Sequence, residues 1–337
     1  MTAYFRPIAR FGEVPTAESL PLAGGLCWFD TVAVHTRGGG VQSIPASELP
    51  SDVHDALVRP RPSVAGLDMT APRIMGILNV TPDSFSDGGL FNAPDAALRR
   101  ALAMQQEGAV ILDIGGESTR PGAAEVQIAE EIERTAPVIA AIRAQSAVPI
   151  SIDTRKAAVA SAALQAGASL VNDVAALTFD PDLAAVTAKA GVPVCLMHAK
   201  GNPETMQNDP TYDDVLLDVY DFLAERIEAA VAAGIPRDQI IVDPGIGFGK
   251  TLEHNLVLLR GIALFHALGC PVLLGASRKR FIGTIGGGKT AADRVSGSVA
   301  VALFAARRGV QILRVHDIFA TKQALDLEWA IGGAAMT

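Results

Sequence analysis

The hydrophobic pattern of the chain becomes regular at Arg73 and stays regular almost to the C-terminus. Short, nearly uninterrupted apolar runs alternate with longer segments in which apolar side chains recur every three or four residues. The short runs are typical of strands buried on both faces of a parallel sheet, and the longer segments indicate amphipathic helices. Eight such pairs follow one another. The predicted strands are residues 74–79, 109–114, 148–153, 169–173, 192–197, 239–243, 271–275 and 310–315.

Glycines mark the ends of the predicted helices. Each lies one to five residues before a predicted strand, where a left-handed helix C-cap is favoured. They are Gly108, Gly167, Gly191, Gly234, Gly269 and Gly309. Eight strand–helix units in about 250 residues, joined by right-handed crossovers, predict an α/β protein with a (β/α)8 TIM barrel. A doubly wound open sheet is the alternative fold.

Residues 1–70 lack this alternation and contain many prolines, at positions 7, 15, 21, 45, 50, 60 and 62. We therefore predict an N-terminal extension over residues 1–70 and a barrel domain over residues 71–337. Within the extension, the pattern predicts a strand in residues 26–36 and one short helix in residues 46–58, which prolines bound on both sides. We expect one or two strands and this helix to pack on the barrel.

Polar side chains follow almost every predicted strand. In a TIM barrel, the active site is built at the carboxyl ends of the strands. A single Asp or Asn at such a place commonly caps the next helix, and we assign that role to Asp173. A whole ring of carboxylates, amides and bases predicts a binding site instead. The ring consists of Asn79, Asp113, Asp153, Asn172, His198, Asp243, Arg314 and His316, with the segments 115–120 and 277–280.

The loop after the first predicted strand is long and polar. Residues 81–83 and 87–89 have turn chemistry, and Phe85 is a large apolar side chain between them. Most connectors in α/β units have about 2–6 residues. A longer loop that carries an aromatic side chain indicates a functional role.

Composition and charge narrow the function classes. The 337 residues are 49% hydrophobic but only 5% aromatic, which indicates a soluble α/β protein with a core of Ala, Val, Ile and Leu. The net charge of −8 argues against nucleic acid or an anionic membrane as the main partner, because both require a basic surface. An anionic substrate would therefore need a local cluster of basic side chains.

The cysteines and the N-terminus indicate a cytoplasmic protein. Cys27, Cys195 and Cys270 are odd in number and widely spaced, which predicts reduced core thiols and argues against a zinc site. The N-terminus carries charges and prolines where a secretory signal needs an apolar core. No later run reaches about 18 uninterrupted apolar residues, so we expect no membrane-spanning segment.

Two glycine-rich segments imitate nucleotide-binding motifs. Residues 283–290, GTIGGGKT, match the P-loop pattern, but ASRKRFI separates them from the preceding strand. A P-loop requires the strand to run directly into the first glycine, so we reject that interpretation. Residues 245–251, GIGFGKT, lack the spacing of the dinucleotide fingerprint. Neither segment predicts a nucleotide site.

Seven motifs place the chain close to a known family. Each lies at a predicted strand end, and together they resemble dihydropteroate synthase, an enzyme of folate biosynthesis. The resemblance covers residues 73–330 and does not include residues 1–70. The motifs are ILNVTPDSFSDGG (77–89), LDIGGESTRPGA (112–123), ISIDTRK (150–156), VNDV (171–174), DPGIGFGKT (243–251), GASRKRFIG (275–283) and RVHD (314–317).

The resemblance implies a transferase that joins 4-aminobenzoate to the 6-hydroxymethyl carbon of a dihydropterin and displaces diphosphate, with Mg²⁺ present. It also implies a homodimer that acts on small-molecule substrates. The implied pterin-binding residues are Asp153, Asn172, Met197, Asp243, Phe248, Lys279 and Arg314. The implied diphosphate-binding residues are Asn79, Arg120, Arg314 and His316, with Asn79 also at the metal. The implied catalytic residues are Asp113, Asp153, Lys279, Arg314 and His316.

Two loops complete the aminobenzoate pocket that the resemblance implies. The residues assigned to this pocket and its loops are Phe85, Asp87, Ser118, Thr119, Arg120, Pro121, Gly275 and Arg280. One position departs from the family pattern, because many relatives have a serine where this chain has Arg280. How the carboxylate of 4-aminobenzoate is held therefore stays open at this point.

Two other functions fit parts of the pattern. Methyltetrahydrofolate methyltransferases use the same pterin-binding barrel, but they lack the GESTRPG and SRKRFIG segments of this chain. A pterin-binding paralogue without synthase activity is the second alternative, and Lys279, Arg314 and His316 argue against it. A turnover assay with the dihydropterin diphosphate distinguishes both alternatives from a synthase.

Overall fold

The N-terminal part of the chain forms small antiparallel sheets. The structure is a computed structural model that describes residues 2–12, 18–81, 93–118, 123–201 and 205–332. β4 lies between β1 and β5 in a three-stranded sheet, and β2 pairs with β3. These strands are β1 (Ala3–Pro7), β2 (Leu20–Pro21), β3 (Trp28–Phe29), β4 (Thr31–Thr36) and β5 (Val41–Pro45).

This region contains more strands than the sequence predicted. We expected one or two strands around residues 26–36, and the described residues contain five before Ala46. The sheet is made by distant pairing, as between Ala3 and Thr36, which a local hydrophobic pattern does not reveal. The predicted helix is a short 3-10 turn followed by helix α1 (Ser51–Val58).

Eight parallel strands then form the predicted barrel. Their order in the sheet is β11-β10-β9-β8-β7-β6-β13-β12, and one parallel bridge between Val242 and Val272 joins the two outer strands. The barrel prediction is therefore confirmed, and the open-sheet alternative is wrong. The strands are β6 (Arg73–Asn79), β7 (Ile111–Gly115), β8 (Ile150–Asp153), β9 (Leu170–Asp173), β10 (Val194–Met197), β11 (Ile240–Asp243), β12 (Leu273–Leu274) and β13 (Ile312–Val315).

Helices follow the strands and cover the outside of the barrel. Buried apolar side chains of α6, such as Leu223 and Ile227, belong to the main core with the outward-facing side chains of the strands. The helices are α2 (Ala93–Gln106), α3 (Ile128–Arg143), α4 (Ala157–Gln165), α5 (Leu183–Ala190), α6 (Val215–Ala232), α7 (Leu252–Arg260), α8 (Arg280–Gly286), α9 (Val295–Ala306) and α10 (Ile318–Ile331). Within the described ranges, no helix is long and apolar enough to cross a membrane.

The segment that joins the extension to the barrel fills the amino-terminal end of the barrel. Val64 and Met69 are each 1% exposed and pack against the first residues of several strands, such as Ile111 and Ile312. Val64 and Leu67 form an antiparallel bridge that folds this segment back on itself. The barrel is therefore closed at the end opposite to the carboxyl ends of its strands.

The N-terminal sheet contacts the outside of the barrel through polar groups. Tyr4 donates a hydrogen bond of 2.8 Å to Asp221 on α6, and Arg37 forms ion pairs with Asp218 and Asp221. Arg61 is buried and donates a hydrogen bond of 2.8 Å to the carbonyl oxygen of His266. The assignment of residues 1–70 as a separate unit stays a prediction.

Two further expectations agree with the structure. The first residues of the segment GTIGGGKT lie within α8, so this segment does not form the loop that a P-loop requires. All three cysteines are buried and unpaired, and burial raises the pKa of Cys270 to about 11. They are core thiols, as predicted.

Candidate active site

The strand register places the predicted polar residues side by side. Asn79 at the end of β6 is aligned with Gly115 of β7, which is aligned with Asp153 of β8. Asp153 is in turn aligned with Asn172 of β9. A side chain on Gly115 would fill the space between Asn79 and Asp153, since its Cβ would lie 3.7 Å from Asn79 Oδ1 and 3.5 Å from Asp153 Cβ. Glycine at this position leaves the mouth of the barrel open.

An arginine joins two buried carboxylates at the centre of the mouth. Arg314 on β13 donates to Asp113 Oδ2 at 2.5 Å and to Asp153 Oδ2 at 2.7 Å. Asp113 Oδ2 also accepts a hydrogen bond of 3.2 Å from the amide of Asn172. The second oxygens of both carboxylates, Asp113 Oδ1 and Asp153 Oδ1, are buried and have no hydrogen-bond partner among the residues that the structure describes. These two acceptors are available to a donor on a ligand.

The charge state of this group depends on burial and on Arg314. Burial raises the pKa of Asp153 to about 7, the Arg314 guanidinium opposes the rise, and Asp113 adds to it. Burial lowers the pKa of Arg314, but the two carboxylates outweigh burial and raise it above the ordinary value. Arg314 therefore stays charged, and Asp153 titrates near neutral pH.

A second carboxylate lies beside a lysine at the end of β11. Asp243 is 4% exposed, and its Oδ1 accepts a hydrogen bond of 2.7 Å from the backbone N–H of Gly245. Burial raises the pKa of Asp243, and the ammonium group of Lys279 opposes that rise. Lys279 donates a short hydrogen bond to the carbonyl oxygen of Ile246, and its pKa is lowered by burial to about 8.

Apolar side chains stand beside these polar groups. Lys279 Nζ lies 4.4 Å from the centre of the Phe248 ring, and Met197 at the end of β10 is 4% exposed. Met197 is aligned with Asp243 in the parallel ladder. Gly245 has a φ of +67°, and a Cβ there would lie 1.9 Å from the carbonyl oxygen of His198, so only glycine allows the loop this close to β10.

The basic residues after β12 and β13 are held by Ser277 and Asp317, which lie in the same two sequence motifs. The Nδ1 atom of His316 lies 3.1 Å from Ser277 Oγ, which also accepts a hydrogen bond of 3.2 Å from the His316 backbone N–H. Arg278 has a φ of +58° and forms an ion pair with Asp317. This strained residue shapes the turn that carries Lys279.

A buried lysine–histidine pair was missed from the sequence. Lys250 is 2% exposed, and its Nζ lies 2.8 Å from His198 Nδ1, 3.0 Å from the carbonyl oxygen of Phe248 and 3.2 Å from that of His198. Burial lowers the pKa of Lys250 well below its ordinary value, and burial with the nearby Lys250 lowers the pKa of His198 to about 2. The pair joins residues 245–251 to the end of β10. The sequence analysis placed His198 in the polar ring but did not connect it with Lys250.

The predicted site residues divide into three groups. The first group lies at the mouth and consists of Asn79, Asp113, Asp153, Asn172, Met197, Asp243, Phe248, Gly275, Lys279, Arg314 and His316. Ser118 is the third residue after β7, and Arg280 is the first residue of α8 and is exposed. Outside the described residues lie Phe85, Asp87, Thr119, Arg120 and Pro121. The roles of all these residues stay predictions.

Asp173 has a local capping role, but the assignment of this residue as the cap of the next helix was wrong. Its carboxylate accepts hydrogen bonds from the backbone N–H groups of Ala175 at 2.8 Å and Leu177 at 2.6 Å. It therefore caps the turn directly after β9, whereas α5 begins only at Leu183.

The chain is similar to known pterin enzymes over its whole barrel. Residues 75–316 match a family model described as "Pterin binding enzyme". The chain is 50% identical over 250 residues to a dihydropteroate synthase of Synechocystis sp., covering 74% of this chain and 86% of that protein. Because the matched residues lie within the barrel, the N-terminal 70 residues are outside the family model.

Solved structures show the same relation. A Xanthomonas albilineans dihydropteroate synthase with 4-aminobenzoic acid has a TM-score of 0.77 and 48% identity, covering 82% of this chain and 99% of that chain. The same enzyme in complex with 7,8-dihydropteroate has a TM-score of 0.74 and 46% identity, covering 82% and 100%. A Yersinia pestis dihydropteroate synthase with a sulfonamide drug complex has a TM-score of 0.75 and 48% identity, covering 80% and 97%.

Proposed function

The chain belongs to the dihydropteroate synthase family of pterin binding enzymes, and on that premise we propose how its residues carry out the reaction. The reaction joins the amine of 4-aminobenzoate to the methylene carbon of (7,8-dihydropterin-6-yl)methyl diphosphate. It yields 7,8-dihydropteroate, diphosphate and a proton. The observation that carries the proposal is the Arg314 guanidinium between Asp113 and Asp153, with Asp243 and Lys279 beside it at the same mouth.

The pterin binds to the buried carboxylates at the ends of the strands. A pterin is a flat ring with an edge of alternating donors and acceptors, so it requires fixed polar groups and apolar walls. Asp243 and Asn172 form hydrogen bonds with that edge, and Asp153 Oδ1 accepts a hydrogen bond from the ring. Met197 and Phe248 form the apolar walls.

The same carboxylates stabilise the charge that develops on the ring. As the bond to diphosphate breaks, positive charge spreads over the dihydropterin, and fixed negative groups in a buried site stabilise it strongly. Asp153 and Asp113 supply these groups. The Arg314 cation lowers the pKa of Asp153 and so favours its carboxylate form. Lys279 binds the pterin and stays close to Asp243. The amine of 4-aminobenzoate then attacks the methylene carbon and loses a proton to solvent.

The leaving diphosphate binds at the side of the mouth formed by β6 and β13. Arg314 and His316 donate hydrogen bonds to it, and Ser277 keeps the His316 ring in position. Arg120, which lies outside the described residues, is a further donor. These bases form the local cluster that an acidic protein needs for an anionic substrate.

The residues at this position fit Mg²⁺. Mg²⁺ commonly binds one or two protein oxygens together with substrate phosphates. Among the described residues there is no group of three His, Cys, Asp or Glu side chains that could hold a metal without a substrate. The amide oxygen of Asn79, which points into the space above Gly115, would hold the ion together with the diphosphate. Bound there, Mg²⁺ would neutralise the charge of the diphosphate.

The aminobenzoate pocket lies above the pterin. We assign it to Ser118, Gly275 and Arg280 with the loop residues that lie outside the described ranges, Phe85, Asp87, Thr119, Arg120 and Pro121. Arg280 is exposed at the start of α8, directly after Lys279. Among the described residues assigned to this pocket, Ser118, Gly275 and Arg280, the guanidinium of Arg280 is the cation that can pair with the carboxylate of 4-aminobenzoate.

The activity is tested by incubating the protein with the dihydropterin diphosphate, 4-aminobenzoate and Mg²⁺. We expect 7,8-dihydropteroate and diphosphate in equal amounts, as measured by chromatography and a phosphate assay. Diphosphate release without dihydropteroate would show hydrolysis only, and pterin binding without any product would support the non-catalytic paralogue.

We further propose that the protein is a homodimer and that it is located in the cytoplasm. Helix α10 exposes Phe319, Leu327 and Ile331, which are 63%, 61% and 77% exposed, and an apolar face of this kind is typical of an association surface. Sedimentation equilibrium measures the mass in solution. A monomer at micromolar concentration, or an unchanged dimer after Leu327→Glu, would exclude α10 as the dimer interface.

A sulfonamide should bind at least about tenfold tighter, roughly 1.4 kcal/mol, when the pterin, diphosphate and Mg²⁺ are already bound. The pterin-binding residues lie on strand ends, whereas the aminobenzoate pocket is assigned to residues of the segments that follow β6, β7 and β12, which we expect the bound pterin, diphosphate and Mg²⁺ to order. The measurement is calorimetric titration of one sulfonamide with and without the three ligands. A control titration with diphosphate and Mg²⁺ alone separates the effect of the pterin. Equal affinity in all three titrations would show that the pocket is preformed.

A further inference from the structure

Lys156 lies at the centre of a buried cluster of charges next to the candidate active site. It is 2% exposed and follows Asp153 by three residues. Its Nζ lies 3.1 Å from Glu117 Oε1 and 2.8 Å from Glu131 Oε2. The same Nζ donates a hydrogen bond of 2.6 Å to the carbonyl oxygen of Val126. All three hydrogens of the ammonium group are therefore used.

These contacts join the two ends of one loop. Glu117 and Val126 lie on either side of the segment that contains Ser118, and both are bound to the same ammonium group. The loop ends are also bound to each other, because the backbone N–H of Val126 donates a hydrogen bond of 2.9 Å to Glu117 Oε1. Arg155 adds a contact of 3.3 Å to Glu117 Oε2. Lys156 therefore holds the base of this segment closed.

Helix α3 fixes the same base from the other side. Arg134 donates a hydrogen bond of 2.7 Å to the carbonyl oxygen of Gly116. A Cβ on Gly116 would lie 2.8 Å from Thr135 Cγ2 and 3.1 Å from Glu131 Cγ, so the helix packs directly on this glycine. Glu131 also accepts a hydrogen bond of 2.8 Å from Thr154, the residue after Asp153. The loop base, α3 and the end of β8 are thus one connected unit.

Stability alone is a weak reason for such a cluster. Buried charges are costly to desolvate, and well-packed apolar residues often stabilise a fold as well or better. Burial raises the pKa of Glu131, and Lys156 and Thr154 oppose this rise. The cluster is nevertheless balanced, with two carboxylates, Glu117 and Glu131, against two cations, Arg155 and Lys156. A directional charge network of this kind fixes a geometry, which a set of apolar contacts does less well.

We propose that Lys156 is a positioning residue that fixes the base of the 117–126 segment and thereby places Ser118 at the aminobenzoate end of the site. This inference rests on the proposed function, since it assigns Ser118 to that pocket. Lys156 touches no substrate. It connects residues 153–156 after β8 to the segment that contains Ser118. The distance between the Asp153 carboxylate and the aminobenzoate pocket is thereby fixed.

The test compares Lys156→Met with the wild-type protein. Methionine has nearly the length of lysine and removes the charge and all three hydrogen bonds. We expect the KM for 4-aminobenzoate to rise at least about tenfold, which corresponds to roughly 1.4 kcal/mol. The dissociation constant of the pterin, measured by calorimetry without 4-aminobenzoate, should change less than about twofold, because pterin binding depends on rigid strand ends. Lys322→Met is the matched control, since Lys322 pairs with Asp326 on the surface of α10.

Two further variants keep the proposal testable if Lys156→Met does not fold. Glu131→Gln removes one charge and keeps one of the two acceptor oxygens that now serve Thr154 and Lys156. Lys156→Arg keeps the charge. We expect an intermediate KM for Glu131→Gln and partial recovery in Lys156→Arg. An unchanged KM in all variants, or a KM and a pterin dissociation constant that rise together, would overturn the positioning role.

Hydrogen exchange separates this inference from the proposed function. In Lys156→Met the backbone N–H of Val126 should exchange at least about tenfold faster, while the amides of β8 and β9 keep their protection. This readout needs no substrate. If the wild-type protein makes no dihydropteroate, the proposed function fails, and the anchoring by Lys156 is still decided by the Val126 amide. Unchanged exchange at Val126 would refute the anchoring even in an active enzyme.

Discussion

Replacing Asp243 by alanine should weaken pterin binding by about 2–5 kcal/mol, a factor of roughly 30 to 5,000. Asp243 is 4% exposed, so the truncation would leave the donor edge of the pterin facing a dry apolar gap. It would also remove the acceptor for the Gly245 backbone N–H and the negative charge nearest to Lys279. Calorimetric titration of the pterin measures the effect.

Two variants make this result specific. Asp243→Asn keeps the shape and the acceptor for Gly245, so it should lose less affinity than Asp243→Ala. Asp238→Ala is the control, because Asp238 is exposed in the short 3-10 helix just before β11. Pterin affinity that is the same in Asp243→Ala and in the control would remove Asp243 from the pterin site.

Replacing Arg314 by methionine should lower kcat by about 10²–10³ and move the acid limb of the pH–rate profile to higher pH. Burial raises the pKa of Asp153 to about 7, and the Arg314 cation is the group that opposes this rise. Without it, a larger fraction of Asp153 is protonated at neutral pH and cannot stabilise positive charge on the ring. The measurement is kcat/KM between pH 5.5 and 9, chosen to bracket a pKa of about 7.

The direction of the pH effect follows from the proton balance of Asp153. A buried carboxyl with a raised pKa keeps its proton over a pH range in which the unfolded chain has lost it. Activity that requires the carboxylate should therefore increase as the pH rises through about 7, whereas the stability that protonated Asp153 contributes should be lost as the pH rises from its ordinary pKa of 3.8 to about 7. In Arg314→Met both changes should occur at higher pH.

The loss of Arg314 also leaves two carboxylates buried without their partner, which costs about 3–5 kcal/mol of stability. Arg314→Lys keeps the charge but loses the forked contact with both carboxylates, so its kcat and its pH midpoint should lie between those of the other two proteins. Arg307→Met serves as the control, because Arg307 forms an exposed ion pair with Glu328. An acid limb at the same pH in Arg314→Met and the control would exclude Arg314 as the group that tunes Asp153.

The barrel and most of its mouth could be predicted because short stretches of sequence indicate both. Each buried strand is a short, mainly apolar run, and most polar residues of the mouth lie at or near the end of one, as Asp153 is the last residue of β8. The carboxyl ends of parallel strands must meet at one edge, so sequence order alone brings Asn79 and Arg314 together. The prediction failed where structure depends on distant partners.

The missed features are all long-range pairings. The strand of residues 3–7 is visible only through its partner at residues 32–36. Lys250 and His198 are 52 positions apart, and Lys156 and Glu117 are 39 positions apart, so no spacing rule connects them. A lysine in a glycine-rich loop or at the end of a strand is normally interpreted as a surface residue, because burial of an ammonium group requires partners that only the fold supplies.

The segment around Val64 and Met69 fills the amino-terminal end of the barrel, which leaves the carboxyl ends of the strands as its open end. Apolar side chains pack closely around this segment, so we expect both substrates to enter, and the product to leave, through the mouth where the strands end. The pterin residues Asn172, Met197 and Asp243 are buried there, each with 4% exposure. We therefore expect ordered binding, in which the pterin binds first and the amine second. A molecule of 4-aminobenzoate that bound first would block the entry of the pterin. At concentrations high enough to overcome its weak binding to the free protein, 4-aminobenzoate should therefore slow turnover instead of accelerating it.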